Sequence, residues 1–359
     1  MSLTWFLANR RLARMLAVET KAVATAAPAT EPPRSWKQIV EPVEPFLKAV
    51  AERLAEQVHT FDPEIASYAQ YALTNQGKQL RPALVALSAA AIGEPNDSLV
   101  TVAVIIEMVH LATLAHDDVM DEAVLRRQQP TLAANWGNQI SVLLGDCLFA
   151  HALKLAASFP TPEICRAVSA ATKTVCSGEI LQTHRQRRLQ LSREEYFKVL
   201  EMKTAELFAL SCDLGAWLCG AAPRERSALR RFGLALGTAY QIYDDCLDLF
   251  GAEALVGKSL GTDLANGKLT LPVLLALERS VALDRAELQK LIEQWEGGNL
   301  ARVVGLLDKY DALDGSRGVI HQFLERARLC LASLPETESR LALIALTGFL
   351  EQQTSALGV

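Results

Sequence analysis

The sequence predicts an all-α protein, a single-domain bundle of many helices around a central cavity. Three observations carry this. Apolar residues recur at spacings of three and four in segment after segment, the period of a helix with one buried stripe. Half of the 359 residues are hydrophobic while only 6% are aromatic, a composition that supplies a large aliphatic core. No alternation of strand and helix patterns and no short internal repeat runs through the chain.

Taken in order, the periodic segments are 43–58, 63–73, 81–91, 99–115, 138–157, 163–182, 193–218, 225–250 and 271–277. Further helical patterns cover 284–295, 301–310, 316–333 and 336–351. Turn chemistry separates them at Gly93-Glu94-Pro95-Asn96-Asp97, Pro160-Thr161-Pro162 and Gly220-Ala221-Ala222-Pro223, because Gly and Pro break helical backbone. Residues 1–35 fall outside the pattern. There Trp5, Phe6, Arg10, Arg11 and Arg14 lead into an Ala/Thr/Pro stretch ending Pro32-Pro33-Arg34. This segment lacks the apolar core and cleavage site of a secretory signal. It reads as a flexible extension, with the folded domain spanning 36–359.

A net charge of −5 argues against broad attraction to nucleic acid or anionic membranes. The seven cysteines form no CxxC pair and no Cys/His cluster. Set in apolar helical sequence, they read as reduced core thiols of a cytoplasmic protein. No uninterrupted apolar run approaches the ~20 residues of a membrane span.

The chemistry lies in a pattern that occurs twice. Asp117-Asp118-Val119-Met120-Asp121 and Asp244-Asp245-Cys246-Leu247-Asp248 share one spacing. On a helix it puts the first and last carboxylates one turn apart on a common face. Like charges so placed cost stability, and a repeated cost asks for a shared ligand. Hard divalent cations supply one, since Mg2+ prefers carboxylate oxygen and is often completed by substrate phosphates and water.

Basic residues accompany the aspartates. Lys78 and Arg81 stand in Gly77-Lys78-Gln79-Leu80-Arg81-Pro82, and Arg126-Arg127 follows the first triplet. Lys203-Thr204 lies mid-chain, while Lys258 and Lys268 bracket a glycine-punctuated loop after the second triplet. Arg forks suit paired phosphate oxygens, and Lys offers a mobile point charge. Any one of these is an ordinary solvated face. Two acidic triplets interleaved with four basic elements are not.

From about Val43 onward the chain resembles the trans-isoprenyl diphosphate synthases, or polyprenyl synthetases. Leu114-Ala115-His116 through Asp121, with Arg126-Arg127, is similar to the family's first aspartate-rich motif. Tyr240-Gln241-Ile242-Tyr243 through Asp248 is similar to the second. Lys258 through Lys268, followed by Leu271-Pro272, resembles the loop and helix that come next. The resemblance implies a prenyltransferase that condenses isopentenyl diphosphate with an allylic diphosphate, using three Mg2+ ions.

It also implies roles. Asp117, Asp121 and Asp244 would hold metal, and Asp118, Asp245 and Asp248 would complete the metal set, with Asp118 and Asp248 acting through bound water or neighbouring groups. Lys203, Lys258 and Arg126 would bind the allylic diphosphate. Lys78, Arg81, His110 and Arg127 would bind that of isopentenyl diphosphate. Thr204 and Gln241 would lie near the developing cation, and Lys268 would help close the site. Gln79 stands where relatives commonly carry Arg or Met, and His116 is read as structural.

Thr113 and Ala112, four and five positions before Asp117, are small, as in medium- and long-chain members. A product beyond twenty carbons follows, above a floor involving Met108, Ile105 or Phe149. A fifteen- or twenty-carbon synthase is the alternative. A class I terpene cyclase fits less well, because the second triplet and the Lys78/Arg81 pair have no counterpart there. A non-catalytic partner subunit would commonly lose a triplet. The resemblance further implies a homodimer without a membrane anchor.

Overall fold

In a computed structural model of the chain, residues 34–74, 77–251 and 260–358 are described. The extension expected over 1–35 lies almost wholly outside them, and Lys258 lies outside them too.

Helices α1 (Trp36–Val40), α2 (Glu44–Gln57), α3 (Ala66–Thr74) and α4 (Leu80–Ala90) lead to α5 (Asp97–Met120), which carries the first triplet. A hairpin of two-residue strands follows, β1 (Leu125–Arg126) and β2 (Gln129–Pro130), then α6 (Leu132–Trp136), α7 (Asn138–Ala157) and α8 (Glu163–His184). Next, α9 (Arg193–Leu200) runs through a π-helical turn, Glu201–Ala205, into α10 (Glu206–Leu218). The second triplet sits on α11 (Pro223–Phe250). The chain ends with α12 (Thr262–Ala265), α13 (Leu271–Arg279), α14 (Ala282–Glu293), α15 (Leu300–Lys309), α16 (Ala312–Leu331) and α17 (Glu338–Ser355).

Local chemistry explains the main boundaries. The Asn96 side chain accepts from the Ser98 N–H to cap α5, and Asp97 suits the positive end of its dipole. Ser192 and Glu195 form a reciprocal capping box on α9. Pro223 opens α11, where its missing N–H is harmless.

Two apolar clusters form the core. One surrounds α5, where Leu99, Val102, Ile105, Ile106 and Met108 pack with Leu207, Leu210 and Leu214 of α10. The other joins Leu229, Phe232, Leu236 and Ile242 of α11 to Ile320, Leu324 and Leu331 of α16, and takes in Phe208 and Cys212 of α10. Helix α10 therefore belongs to both clusters. Each such buried side chain stabilises the fold by about 1.5–3 kcal/mol, so α5 and α11 are held rigidly on either side of α10.

Two sequence expectations change here. By length and composition alone, α5 and α7 are apolar enough to cross a membrane. Helix α5 is a core helix with 67% of its apolar window buried, but α7 has only 33% buried. Cys212 and Cys246 are the buried thiols expected, each pushed up to about 12 by burial. Cys147 on α7 and Cys176 on α8 are instead exposed, and Cys176 borders the central cavity rather than the core.

Candidate active site

One face of α5 lines a cavity of about 1000 Å³ with Glu107, His110, Thr113, Leu114, Asp117 and Asp121, residues three or four apart as the helical period requires. Tyr240, Gln241, Asp244 and Asp245 of α11 line the same cavity. Lys203 and Thr204 enter it from the π turn, and Lys78 and Arg81 from the start of α4.

The first triplet is held by lysines. Lys268 Nζ donates to both Asp121 oxygens, at 2.7 and 2.8 Å. Lys203 Nζ lies 3.5 Å from Asp117 Oδ2 and also pairs with Glu179. Burial alone would lower the Lys203 pKa, but Asp117 and Glu179 outweigh it and hold the ammonium charged. Gly178 makes this approach possible: a Cβ there would stand 2.9 Å from the Lys203 backbone nitrogen.

Asp118 departs from the cavity-facing pattern. It is buried against Arg126, whose Nε and Nη2 reach Oδ1 at 2.8 and 2.7 Å. Burial raises its pKa and Arg126 opposes the rise.

The second triplet does not repeat the first. Asp248 is 1% exposed and accepts from the Asp263 N–H at 3.0 Å, so it is not among the cavity-lining residues. The shared-face expectation fails for Asp244 and Asp248, since the Asp263 amide in the first turn of α12 draws Asp248 inward. Asp245 accepts from Tyr196 Oη at 2.5 Å and from Gln241 Nε2 at 2.9 Å. Burial, followed by the nearby Asp263, pushes its pKa well up. Gln241 in turn accepts from Thr204 Oγ1 at 2.7 Å.

A relay of hydrogen bonds links the triplets. Asp248 takes the Asp263 N–H, the Asp263 carbonyl accepts the Lys268 N–H at 2.7 Å, and the Lys268 ammonium holds Asp121.

The other end of the cavity is basic. Arg81 is half-buried, with its Nε fully enclosed and its guanidinium carbon 5.1 Å from the Phe208 ring centroid. Lys78 Nζ lies 5.8 Å from the Phe349 ring centroid. A Cβ on Gly77 would stand 2.4 Å from the Arg127 guanidinium carbon, so a side chain there would push that flexible group aside. Burial, then Arg81, Arg127 and Arg126, hold the His110 pKa well below its usual value, and the ring is neutral.

Along the tail-binding direction, Thr113 and Phe149 line the cavity but Ala112 does not. Ala112, Ile105 and Met108 are fully buried in the α5 core; the residue five before Asp117 turns toward neighbouring helices. His116 lines the cavity while its Nε2 meets the Val142 carbonyl at 3.0 Å.

Sequence reading missed Glu107, Glu179, Tyr196 and Tyr240, all of which line the cavity. Glu107 carried a usable signal, lying three residues before His110 on the same face. Tyr240, quoted in the second motif without a role, carried the same signal four residues before Asp244, while Glu179 and Tyr196 depend on contacts between distant segments.

The sequence pattern of the polyprenyl synthetase family matches residues 62–306. The chain belongs to this family. It is 35% identical over 312 residues to the all-trans-nonaprenyl-diphosphate synthase of Rhodobacter capsulatus, covering 87% of this chain and 96% of that one. Identity to the short chain isoprenyl diphosphate synthase of Methanothermobacter thermautotrophicus is 31% over 317 residues, 87% and 98% of the two chains. The crystal structure of a polyprenyl synthase from Caulobacter crescentus, complexed with calcium and isoprenyl diphosphate, is similar at a TM-score of 0.84 and 34% identity, covering 90% of this chain and 99% of that one. This polyprenyl synthetase is an all-α prenyltransferase.

The synthetase's own donors suit a divalent cation. Among the described residues no three His, Cys, Asp or Glu side chains converge into a closed metal cage. Asp117, Asp121 and Asp244 instead offer oxygen on the walls of one cavity. One or two carboxylates completed by substrate oxygen is the usual arrangement for Mg2+. The lysines beside Asp117 and Asp121 supply positive charge where such an ion would.

Proposed function

We propose that this synthetase joins isopentenyl diphosphate to an allylic diphosphate, head to tail and trans, and continues past twenty carbons. The supporting observation is the division of one cavity into an acidic half with Asp117, Asp121 and Asp244 and a basic half with Lys78, Arg81, His110 and Arg127. A metal-dependent leaving group suits the first, and a second diphosphate suits the other.

In this reading Asp117, Asp121 and Asp244 would hold Mg2+, three ions per site, and the metal would supply positive charge to the diphosphate leaving group. Lys203 and Arg126 add fixed cations for the same oxygens and Lys268 closes the loop over them, and the family resemblance gives Lys258 a part in binding the same diphosphate. The Thr204 proton is committed to Gln241, so its oxygen lone pair is available to positive charge developing on the allylic carbon. Isopentenyl diphosphate, anchored in the basic half, presents its double bond to that carbon. The proton then lost passes to the departing diphosphate. Leu114, Phe149, Leu207 and Phe208 line the cavity and keep water from capturing the cation.

Small Thr113 on the tail's path supports a long product. Residues 36–359 act as the catalytic domain, in the cytoplasm and as a homodimer. Leu143, 53% exposed on α7, offers apolar surface to the second copy, while the exposed Val142 and Ile180 line the cavity. Purified protein, isopentenyl diphosphate, an allylic primer and Mg2+ should give products whose dephosphorylated alcohols chromatograph beyond twenty carbons. Cyclic hydrocarbon, or no extension, would reject the reading.

A further inference from the structure

The basic half of the cavity contains a carboxylate that the condensation does not use. Glu107 is 4% exposed, lines the cavity, and lies one helical turn from His110 on the same face of α5. At ~1.5 Å per residue it is roughly 15 Å along the helix from Asp117, too far to serve the acidic half. Its Oε2 and the Nε of Arg81 are both buried without a hydrogen-bond partner. A charged acceptor and a charged donor thus share one wall, coupled through space but not bonded. Unbonded buried groups of this kind mark a place that a ligand completes.

We propose that Glu107 is a positioning residue that exchanges duty with the homoallylic diphosphate: ionised, it neutralises Arg81 and Arg127 in the empty cavity, and it takes a proton from solvent when the diphosphate replaces it. This deepens the proposed function and rests on it. The charges around Glu107 decide the direction. Arg81 of α4 and Arg127 of the hairpin favour its ionised form, and burial opposes them. Neutral His110 shares its helix face, while Lys78 and Tyr240 line the same cavity. A bound polyanion neutralises the two guanidiniums, leaving burial and a like charge beside the carboxylate. Both favour the protonated acid, which can then donate to a phosphate oxygen. One carboxylate plus one solvent proton gives one carboxylic acid, and no other bond changes.

Calorimetric titration of the full-length protein with isopentenyl diphosphate tests this at pH 8, above the ~6 of a phosphate's last ionisation. Buffers of different ionisation enthalpy report proton uptake. Wild type should take up close to one proton, with affinity falling toward tenfold per pH unit as pH rises. Glu107→Gln should abolish the buffer dependence and flatten the pH profile, and Glu107→Asp should restore both in part. Uptake undiminished in Glu107→Gln would assign the proton to His110 or the ligand and overturn the proposal. Binding without uptake in wild type would also overturn it while leaving the enzymatic reading intact. Failure of wild type to bind the diphosphate at all would overturn both.

Discussion

Lys268 grips both oxygens of Asp121 across 147 residues of sequence, at 2.7 and 2.8 Å. The loop that carries the lysine is itself pinned by Asp248 through the Asp263 amide. The second acidic triplet therefore controls the first mechanically as well as by charge. This ion pair is partly shielded from solvent, so it is stronger than an ordinary surface pair.

A cation bound at Asp121 shares the carboxylate with the Lys268 ammonium and competes with it for the negative charge. Lys268→Met should lower the Mg2+ concentration that gives half-maximal activity, and should cut kcat at least tenfold by loosening the loop. Metal titrations of the steady-state rate check both; an unchanged Mg2+ requirement would show that the lysine does not compete.

Asp244 and Asp248 occupy equivalent ends of a spacing but should fail differently. Asp244→Asn should reduce turnover by about 10²–10³, the scale of a lost electrostatic partner in a preorganised site, with melting unchanged. Asp248→Ala strands a buried amide and should cost about 1–3 kcal/mol of stability. Thermal melts beside product assays separate the two behaviours.

Chain length should answer to Thr113. Thr113→Phe narrows the cavity and should shift products to shorter alcohols on chromatography. Ala112→Phe meets the packed α5 core instead, and should destabilise by about 1–3 kcal/mol through overpacking before it alters product length.

His110 gives a pH signature. Its folded pKa lies below the ordinary 6.5, by burial and then by Arg81, Arg127 and Arg126. The unfolded chain therefore binds more protons as pH drops below 6.5. Stability from this group is complete above that value and declines on acidification, with a limiting slope of about 1.4 kcal/mol per pH unit. Denaturant titrations between pH 7 and 5 should show the slope in wild type and a smaller one in His110→Gln.

Most of the long helices were readable, because a three-and-four spacing of aliphatic residues has no other packed solution. The first triplet was readable for the same reason, since Asp117 and Asp121 ride the stripe that holds His110 and Thr113. Asp118 and Asp248 were not, because their orientation is set by Arg126 and by the Asp263 amide. Burial decided Ala112: both it and Thr113 are small, yet only the packing of α5 against its neighbours distinguishes core from cavity. Glu179 stayed invisible because its partner Lys203 comes from a turn whose backbone departs from the α period.

That turn, Glu201–Ala205, also governs how the gene can be edited. The wide turn absorbs one surplus residue, so the apolar spacing of α10 runs one position out of step with that of α9 along one unbroken backbone. Excising a single codon there would regularise the coil and remove the wide turn from which Lys203 and Thr204 enter the cavity. Lys203 and Thr204 fix the stretch by chemistry as the wide turn fixes it by geometry, so any chimera must inherit the five-residue block whole.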